Sequence, residues 1–422
     1  MRMKRPVIWY VHPYAGGPGV GRYSRPYELG HAWQAADADV VVITASYHHL
    51  QDAPGQYRGG RDIEGVPYEF LPTPAYQGNG IGRLANMGAF AMQLLRHHRR
   101  LRQRYGKPDM VIGSSPHPYA FPATHRIARH DGARSVFEVR DLWPLSLVEL
   151  AGVAPSHPLV RATGWLERYA YRNADAVVSL LPKTADYMRG CGLPDGRWHY
   201  IPNGVDTAAA AAPDGDSPPR QQALRWKAQG RRVVVYAGAL GVPNHLESLV
   251  QAMALVHGRG EPRIAAVIVG RGERAQHLRE QVRQLGLQDC VALYDQIAKR
   301  DIPALLGAAD IGYISLKPEP LFRFGVSPNK LFDYMLARLP VLFAVQAGNN
   351  PVADYACGMS AKPGDAASVA DALLAFSRAT EADLAAMGER GHQYVVAEHG
   401  YPQLAQRYLD LVQQKSRASD VT

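Results

Sequence analysis

Short apolar, β-branched runs alternate with helix-period stretches along nearly the whole chain. In the first half the runs fall at 7–11, 40–44, 68–71, 110–113, 135–139, 176–181 and 199–201. They are continuous rather than alternating, the pattern of strands buried on both faces of a parallel sheet. Helical patterns such as 164–173 supply the crossovers, giving a β-α-β rhythm. The rhythm breaks over 206–230, where 208–212 leads into Pro213, Asp214, Gly215, Asp216, Ser217, Pro218 and Pro219, a linker composition. Strand-like runs resume at 233–237, 265–269, 291–294, 311–315 and 341–344, and an amphipathic stretch at 403–414 closes the chain. The pattern predicts two α/β domains, each around its own parallel sheet. The first spans 1–205 and the second 231–397, with a terminal helix over 398–422. Ligands of such sheets sit beyond the carboxyl ends of the strands, so the loops there are where chemistry is expected.

Composition narrows the class. The chain has 422 residues, 46% apolar and 20% charged, which fits folded domains and not a disordered or fibrous chain. Cys191, Cys290 and Cys357 are too few and too scattered for a disulfide framework or a cysteine zinc site, which suits a reducing compartment. No run of about 18 apolar residues predicts a membrane span. The basic N-terminus leads into an apolar run too short for a signal-peptide core. A cytoplasmic protein is expected, with a net charge of +9 to explain. Nucleic acid, an anionic membrane or an anionic substrate could each account for it.

Five features follow strands or carry concentrated charge. Gly16-Gly17-Pro18-Gly19-Val20-Gly21 follows the first run, and its glycines would let backbone approach a ligand. The spacing is not the dinucleotide fingerprint, and no acidic residue ends the second strand, which disfavours a dehydrogenase. An ordinary tight turn is the plainer reading. Arg140-Asp141-Leu142-Trp143-Pro144 leaves the fifth run, with Glu138 just before it; the alternative to a cleft role is an Arg–Asp pair under Trp143. The third feature is Phe324-Gly325-Val326-Ser327-Pro328-Asn329-Lys330-Leu331-Phe332-Asp333. Ser327 as N-cap and Pro328 at the first helical position would open a helix whose N–H groups and Lys330 suit a phosphate. Asp333, one turn on, would take ribose hydroxyls. The fourth is Gly270-Arg271-Gly272, where Arg271 can either reach a phosphate or lie in solvent.

The fifth feature is the segment 84–107, which puts Leu84, Met87, Ala91, Leu94, His98, Leu101 and Tyr105 on one helical stripe. Beside the stripe lie Arg96, Arg99, Arg100, Arg102, Arg104 and Lys107, and no acidic residue occurs from 85 to 108. This reads as an anionic-surface contact or as the solvated face of a packed helix. No recognition motif or interleaved aromatic supports nucleic acid. The sixteen histidines show no metal-ligand spacing. His117 lies near the end of the fourth run but lacks a G-x-S-x-G partner motif.

Together these segments resemble the retaining family-four glycosyltransferases of the two-domain GT-B fold. The carriers are Gly16-Gly17-Pro18-Gly19, Pro108-Asp109-Met110-Val111-Ile112, the Arg140–Pro144 element, Ala174-Asp175-Ala176-Val177-Val178-Ser179, Ile201-Pro202-Asn203-Gly204-Val205-Asp206, Tyr236-Ala237-Gly238, Val269-Gly270-Arg271-Gly272 and the 327–335 segment, in family order. The last of these and the Arg-Asp-Leu-Trp-Pro element are similar to the O-antigen and capsule transferases, including N-acetylfucosamine transferases. The resemblance implies two facing Rossmann-like domains with a deep cleft, the first binding acceptor and the second a nucleotide-diphosphate sugar.

The resemblance also implies a metal-independent retaining transfer with no cofactor, UDP being the leading donor base, in bacterial surface polysaccharide synthesis. A lipid-linked or saccharide acceptor goes with it, and the acid-free basic segment 84–107 suggests peripheral contact with the anionic inner membrane. By the same resemblance Asp141, Arg140, His117 and Glu138 line the acceptor side. Gly17, Gly19, Arg271, Phe324, Gly325, Ser327, Asn329, Lys330, Leu331 and Asp333 hold the donor, and Asn203 lies in the cleft. Three positions depart from the family: its Glu-x7-Glu begins at Gly325 and ends at Asp333, its Arg and Lys fall on Ala239 and His245, and its usual His falls on Arg140. The departures shift the diphosphate charge onto Lys330 and Arg271. A nucleotide-sugar epimerase or a non-catalytic binding partner would share the architecture.

Overall fold

In the computed structural model, residues 5–78, 80–207, 215–261 and 263–419 are described, without the side chains of Ser115 and 414–419. The chain divides into two compact units, Met1–Asn203 with Tyr401–Thr422, and Gly204–Gly400. In the first, β1 (Val7–Val11), α1 (Arg25–Ala35), β2 (Asp39–Ala45), β3 (Gly59–Ile63), β4 (Val66–Leu71), α2 (Ile81–Tyr105) and β5 (Met110–Ser115) come first. Then follow α3 (Phe121–Asp131), β6 (Arg134–Val139), α4 (Leu145–Glu149), α5 (Pro158–Asn173), β7 (Ala176–Ser179), α6 (Ala185–Gly190) and β8 (Trp198–Tyr200). The eight strands lie in the order β3-β4-β2-β1-β5-β6-β7-β8. All pair in parallel except β3, which is antiparallel to β4.

Strand β3 carries no apolar run and is absent from the sequence expectation. It forms because Glu64 and Gly65 take φ of 44° and 91°, a two-residue hairpin turn that folds Ile63 back onto Val66.

The second unit runs α7 (Pro218–Ala228), β9 (Arg232–Ala237), α8 (Glu247–Gly258), β10 (Ile264–Val269), α9 (Ala275–Gln284), β11 (Val291–Tyr294), α10 (Ile302–Gly307) and β12 (Ile311–Ser315). It continues with α11 (Asn329–Leu336), β13 (Val341–Ala344), α12 (Pro351–Asp354), β14 (Gly358–Ser360), α13 (Ala366–Arg378) and α14 (Glu381–His399). Its six strands pair in parallel in the order β11-β10-β9-β12-β13-β14. The expected linker over 206–230 is a correction. Its second half is α7, whose Ala223 and Trp226 are buried in the core beneath β9 and β10; its 208–214 part lies outside the described residues.

The last helix, α15 (Tyr401–Ser419), belongs to the first unit. It packs beside α1, where Trp33 meets Tyr408 edge-on at 5.5 Å and donates from Nε1 to the Ala405 carbonyl at 3.2 Å. Tyr408 also reaches the carboxylate of Glu138 beneath the sheet. Among the described residues no helix is long and apolar enough to cross a membrane.

Candidate functional site

In the second unit the candidate residues gather where β9, β10 and β12 end. Helix α11 starts at Asn329, one residue later than expected. Pro328 occupies the N-cap position and Ser327 lies before it, so neither takes the place the sequence suggested. Lys330 bends back from this helix to the end of β9. Its Nζ donates to the Tyr236 hydroxyl at 3.0 Å and to Oδ1 of Asn244 at 2.9 Å, and stands 4.7 Å from the Tyr236 ring centre. Burial without an acidic partner lowers its pKa to about 8.

The backbone around this amine is built from glycines. A Cβ on Gly238 would lie 2.8 Å from Cε of Lys330, and one on Gly270 would lie 1.8 Å from the Gly238 carbonyl oxygen. The loop after β10 can therefore cross the loop after β9 only as bare backbone. Arg271, on that crossing loop, is exposed. Its carbonyl accepts from the Leu240 amide at 2.9 Å, which fixes the loop and leaves the guanidinium in solvent.

Asp333 is one turn along α11, and burial raises its pKa to about 6 against the opposing charge of Lys299. The segment ahead of α11 is held by Asn349, which accepts from the Val326 amide at 2.8 Å and donates to the Val326 carbonyl at 3.1 Å. Asn329 is exposed at the helix start. Phe324 and Leu331, expected among donor contacts, are buried in the unit and act as packing. Gly325, also buried, takes φ 102°, a turn that favours glycine.

In the first unit the loops after β1, β5 and β6 bring together side chains distant in sequence. Arg140 lies over the Tyr23 ring at 3.6 Å, with NH1 3.5 Å from Nε2 of His12. Its Nε is buried without a partner. The Arg140–Asp141 pair that stood as the alternative to a cleft role does not form, and Asp141 is exposed. His117 shares a 3.1 Å contact with the Tyr14 hydroxyl and meets Trp143 edge-on at 5.9 Å. Burial, reinforced by Arg83, lowers the His117 pKa to about 3, and burial with Arg140 lowers that of His12 as well. Both rings are neutral at physiological pH, so Arg140 and Arg83, which stands 5.6 Å from the Tyr14 ring centre, supply the positive charge there. Asn203 follows β8 at the same edge of the sheet.

Two expectations in this unit are corrected. Glu138 does not line a site. It is fully buried, pairs with Arg25 at 3.1 Å, and accepts from the hydroxyls of Tyr10, Ser114 and Tyr408. Burial alone would raise its pKa, but Arg25 and the three hydroxyls hold it below the usual carboxylate value. Gly17 is also closed off: its amide donates to the Gly21 carbonyl at 3.1 Å and the residue is buried. Gly19, at φ 67°, is exposed with open space around it and remains the approachable point of the loop.

Comparison with known proteins follows this division. Residues 19–204 match the Glycosyl transferase 4-like domain, and residues 231–378 match the Glycosyl transferases group 1 domain. The two units thus match glycosyltransferase domains, and the chain is a glycosyltransferase of GT-B fold. It is 27% identical over 305 residues to the Escherichia coli K12 protein described as the colanic acid biosynthesis glycosyl transferase WcaI, covering 69% of this chain and 72% of that one. Its fold is similar to that of a sucrose-phosphate synthase from Thermosynechococcus elongatus, with TM-score 0.72 and 18% identity over 98% of this chain and all of that one. Anabaena HepE, solved with UDP, gives TM-score 0.66 and 16% identity over 97% of this chain and all of that one.

For this glycosyltransferase, sequence reasoning missed Asn244, Asn349, Tyr14, Tyr23 and His12 at the two sheet edges. Tyr236 carried a signal, as a hydroxyl ending an otherwise aliphatic strand. The others sit in loops, where no periodicity marks them.

Proposed function

We propose that this glycosyltransferase moves a sugar from a nucleotide diphosphate, UDP in the first instance, to a saccharide or lipid-linked acceptor with retention of configuration. The observation that carries the reading is the half-buried Lys330 amine at the start of α11, beside the glycine crossing of the β9 and β10 loops. A desolvated cation facing backbone that can be approached closely suits a diphosphate, whose charge grows as it leaves. Arg271 would close on the same group, and Asp333 would accept from ribose hydroxyls. No metal is then required at the leaving group.

In the transfer, the acceptor oxygen bonds to the anomeric carbon on the face from which the phosphate departs. The acceptor proton passes to the leaving phosphate oxygen, so no protein base enters the balance. Arg140, Asp141, His117 and Asn203 would orient the acceptor. The likeness to WcaI supports a role in bacterial surface polysaccharide, while the Arg140–Pro144 and 327–335 segments support an N-acetylated hexosamine or deoxyhexosamine donor, the N-acetylfucosamine transferases being the subgroup proposed. We place that work at the cytoplasmic face of the inner membrane.

A thermal-shift panel of UDP, GDP and dTDP sugars tests the donor: the true donor raises the melting temperature according to RT ln(1 + [L]/Kd). Product NMR with that donor should show the donor's anomeric configuration, with transfer unchanged by EDTA. An inverted product, or loss of transfer on chelation, would overturn the mechanism.

A further inference from the structure

One face of the first unit's sheet is unlike any other surface of that unit. The right-handed crossovers that step from β4 to β5, β6 and β7 put α2, α3 and α5 on a single side. Their contacts agree: His98 of α2 touches Asp131 of α3 at 2.6 Å, and His125 of α3 meets Tyr169 of α5 at 6.2 Å. Helix α2 presents five exposed arginines, from Arg96 to Arg104; Arg100 and Arg104 pair with Glu69 and Arg102 with Asp131, while Arg96 and Arg99 carry charge outward. Helix α3 adds exposed Arg126, Arg129 and His130, and α5 adds exposed Arg161, Arg168 and Arg172.

The acidic residues of these helices are Asp131 and Glu167, and both are buried. Asp131 is taken up by His98 and Arg102, and Glu167 by the hydroxyls of Tyr171 and Tyr187. No exposed carboxylate therefore lies on these three helices; on the same side, the exposed Asp186 of α6 pairs with Arg189 at 2.8 Å.

Apolar groups stand among these cations. Ile81 is 84% exposed, Met92 69% and Trp165 61%, with Leu95 also exposed. At 3.6 residues per turn, Ile81, Met92, Leu95 and Arg99 share roughly 60° of the α2 surface. Trp165 stacks on Tyr169 at 5.9 Å on the outside of α5, beside Arg161 and Arg168. The opposite layer, α1 and α15, is the internal control. Its described residues include Glu28 and Asp410 beside Arg407, and no exposed large apolar side chain.

We infer that the α2–α3–α5 layer is a docking surface for an anionic phospholipid bilayer. Arginines meet the headgroups while Ile81, Met92, Leu95 and Trp165 enter the interface. Charge complementarity alone would also suit RNA, but the exposed aliphatic groups of α2 have no role on a phosphate backbone. The inference deepens the lipid-linked reading above and rests on it only for its purpose.

The test uses the full chain and vesicles of phosphatidylcholine with or without phosphatidylglycerol. Sedimentation with the anionic vesicles alone is expected, together with a blue shift of tryptophan emission that the Trp165→Phe variant loses. Arg99→Glu, Arg126→Glu and Arg161→Glu combined, one substitution per helix, should weaken vesicle binding on the order of 100-fold. Transfer to a soluble acceptor should stay intact in that variant, which shows that it folds. Unchanged vesicle affinity in the triple variant would overturn the inference. So would equal affinity for RNA with no Trp165 signal. Vesicle binding without any sugar transfer in the wild type would sink the enzymatic reading and leave the surface standing.

Discussion

Lys330 is a cation held where its charge is disfavoured. Its two hydrogen-bond acceptors, a tyrosine hydroxyl and an amide oxygen, are neutral, and no carboxylate repays the burial that lowers its pKa to about 8. An arriving diphosphate would supply the missing charge and raise that pKa again. The sign follows directly. In the free enzyme the amine loses its proton as pH rises through about 8, so kcat/KM should fall above that pH, while kcat should hold to higher pH. Lys330→Arg should flatten the fall, because a guanidinium stays charged. Lys330→Ala should lower the transfer rate by about 100-fold. A pH–rate series on the three proteins checks this, and an Ala variant within a factor of three of wild type would remove Lys330 from the mechanism.

The elements show the same contrast between charge that is used and charge that is stored. The end of β6 separates Glu138, still inside the strand, from Arg140, one residue beyond it. Glu138 turns inward to Arg25 and Tyr408, and so ties β6, α1 and α15 together. Arg140 goes to the loop edge, onto Tyr23. Glu138→Ala would strand the Arg25 guanidinium in the core, at a cost of about 3–5 kcal/mol. The expected outcome is a lower urea midpoint with near-normal transfer by the molecules that remain folded. Lost transfer at unchanged stability would return Glu138 to the acceptor site. A side chain's identity was plain in the sequence here, but its partners were not, since Arg25 and Tyr408 lie 113 and 270 residues from Glu138.

At the scale of the whole molecule, each unit owns its core. The second is contiguous in sequence, whereas the first depends on a helix from the far end of the chain. Expressed alone, 204–400 should unfold cooperatively and be stabilised by the donor nucleotide, about 2.7 kcal/mol at a hundredfold excess over Kd. By contrast, 1–203 without α15 should melt lower or fail to fold, since Trp33 and its neighbours lose their cover. Calorimetry with and without UDP decides it. A cooperative 204–400 segment that ignores every nucleotide bound by the full chain would contradict a donor site built from this unit alone.

Continuous apolar runs determined the strands, and therefore the two parallel sheets, because burial on both faces leaves no room for polar alternation. Glycine spacing and Lys330 at a helix start were legible for the same local reason: turn geometry and free helix amides belong to neighbours in sequence. Tertiary structure alone decided which charges remain available. Arg100 and Arg104 pair with Glu69, and Arg102 with Asp131, so half of the six cations singled out in 84–107 have partners within the unit. Outward charge beyond that of Arg96, Arg99 and Lys107 comes from α3 and α5, which no period along α2 could reveal. Helices come to share a face through crossover handedness and strand order, and those are properties of the sheet, not of any segment.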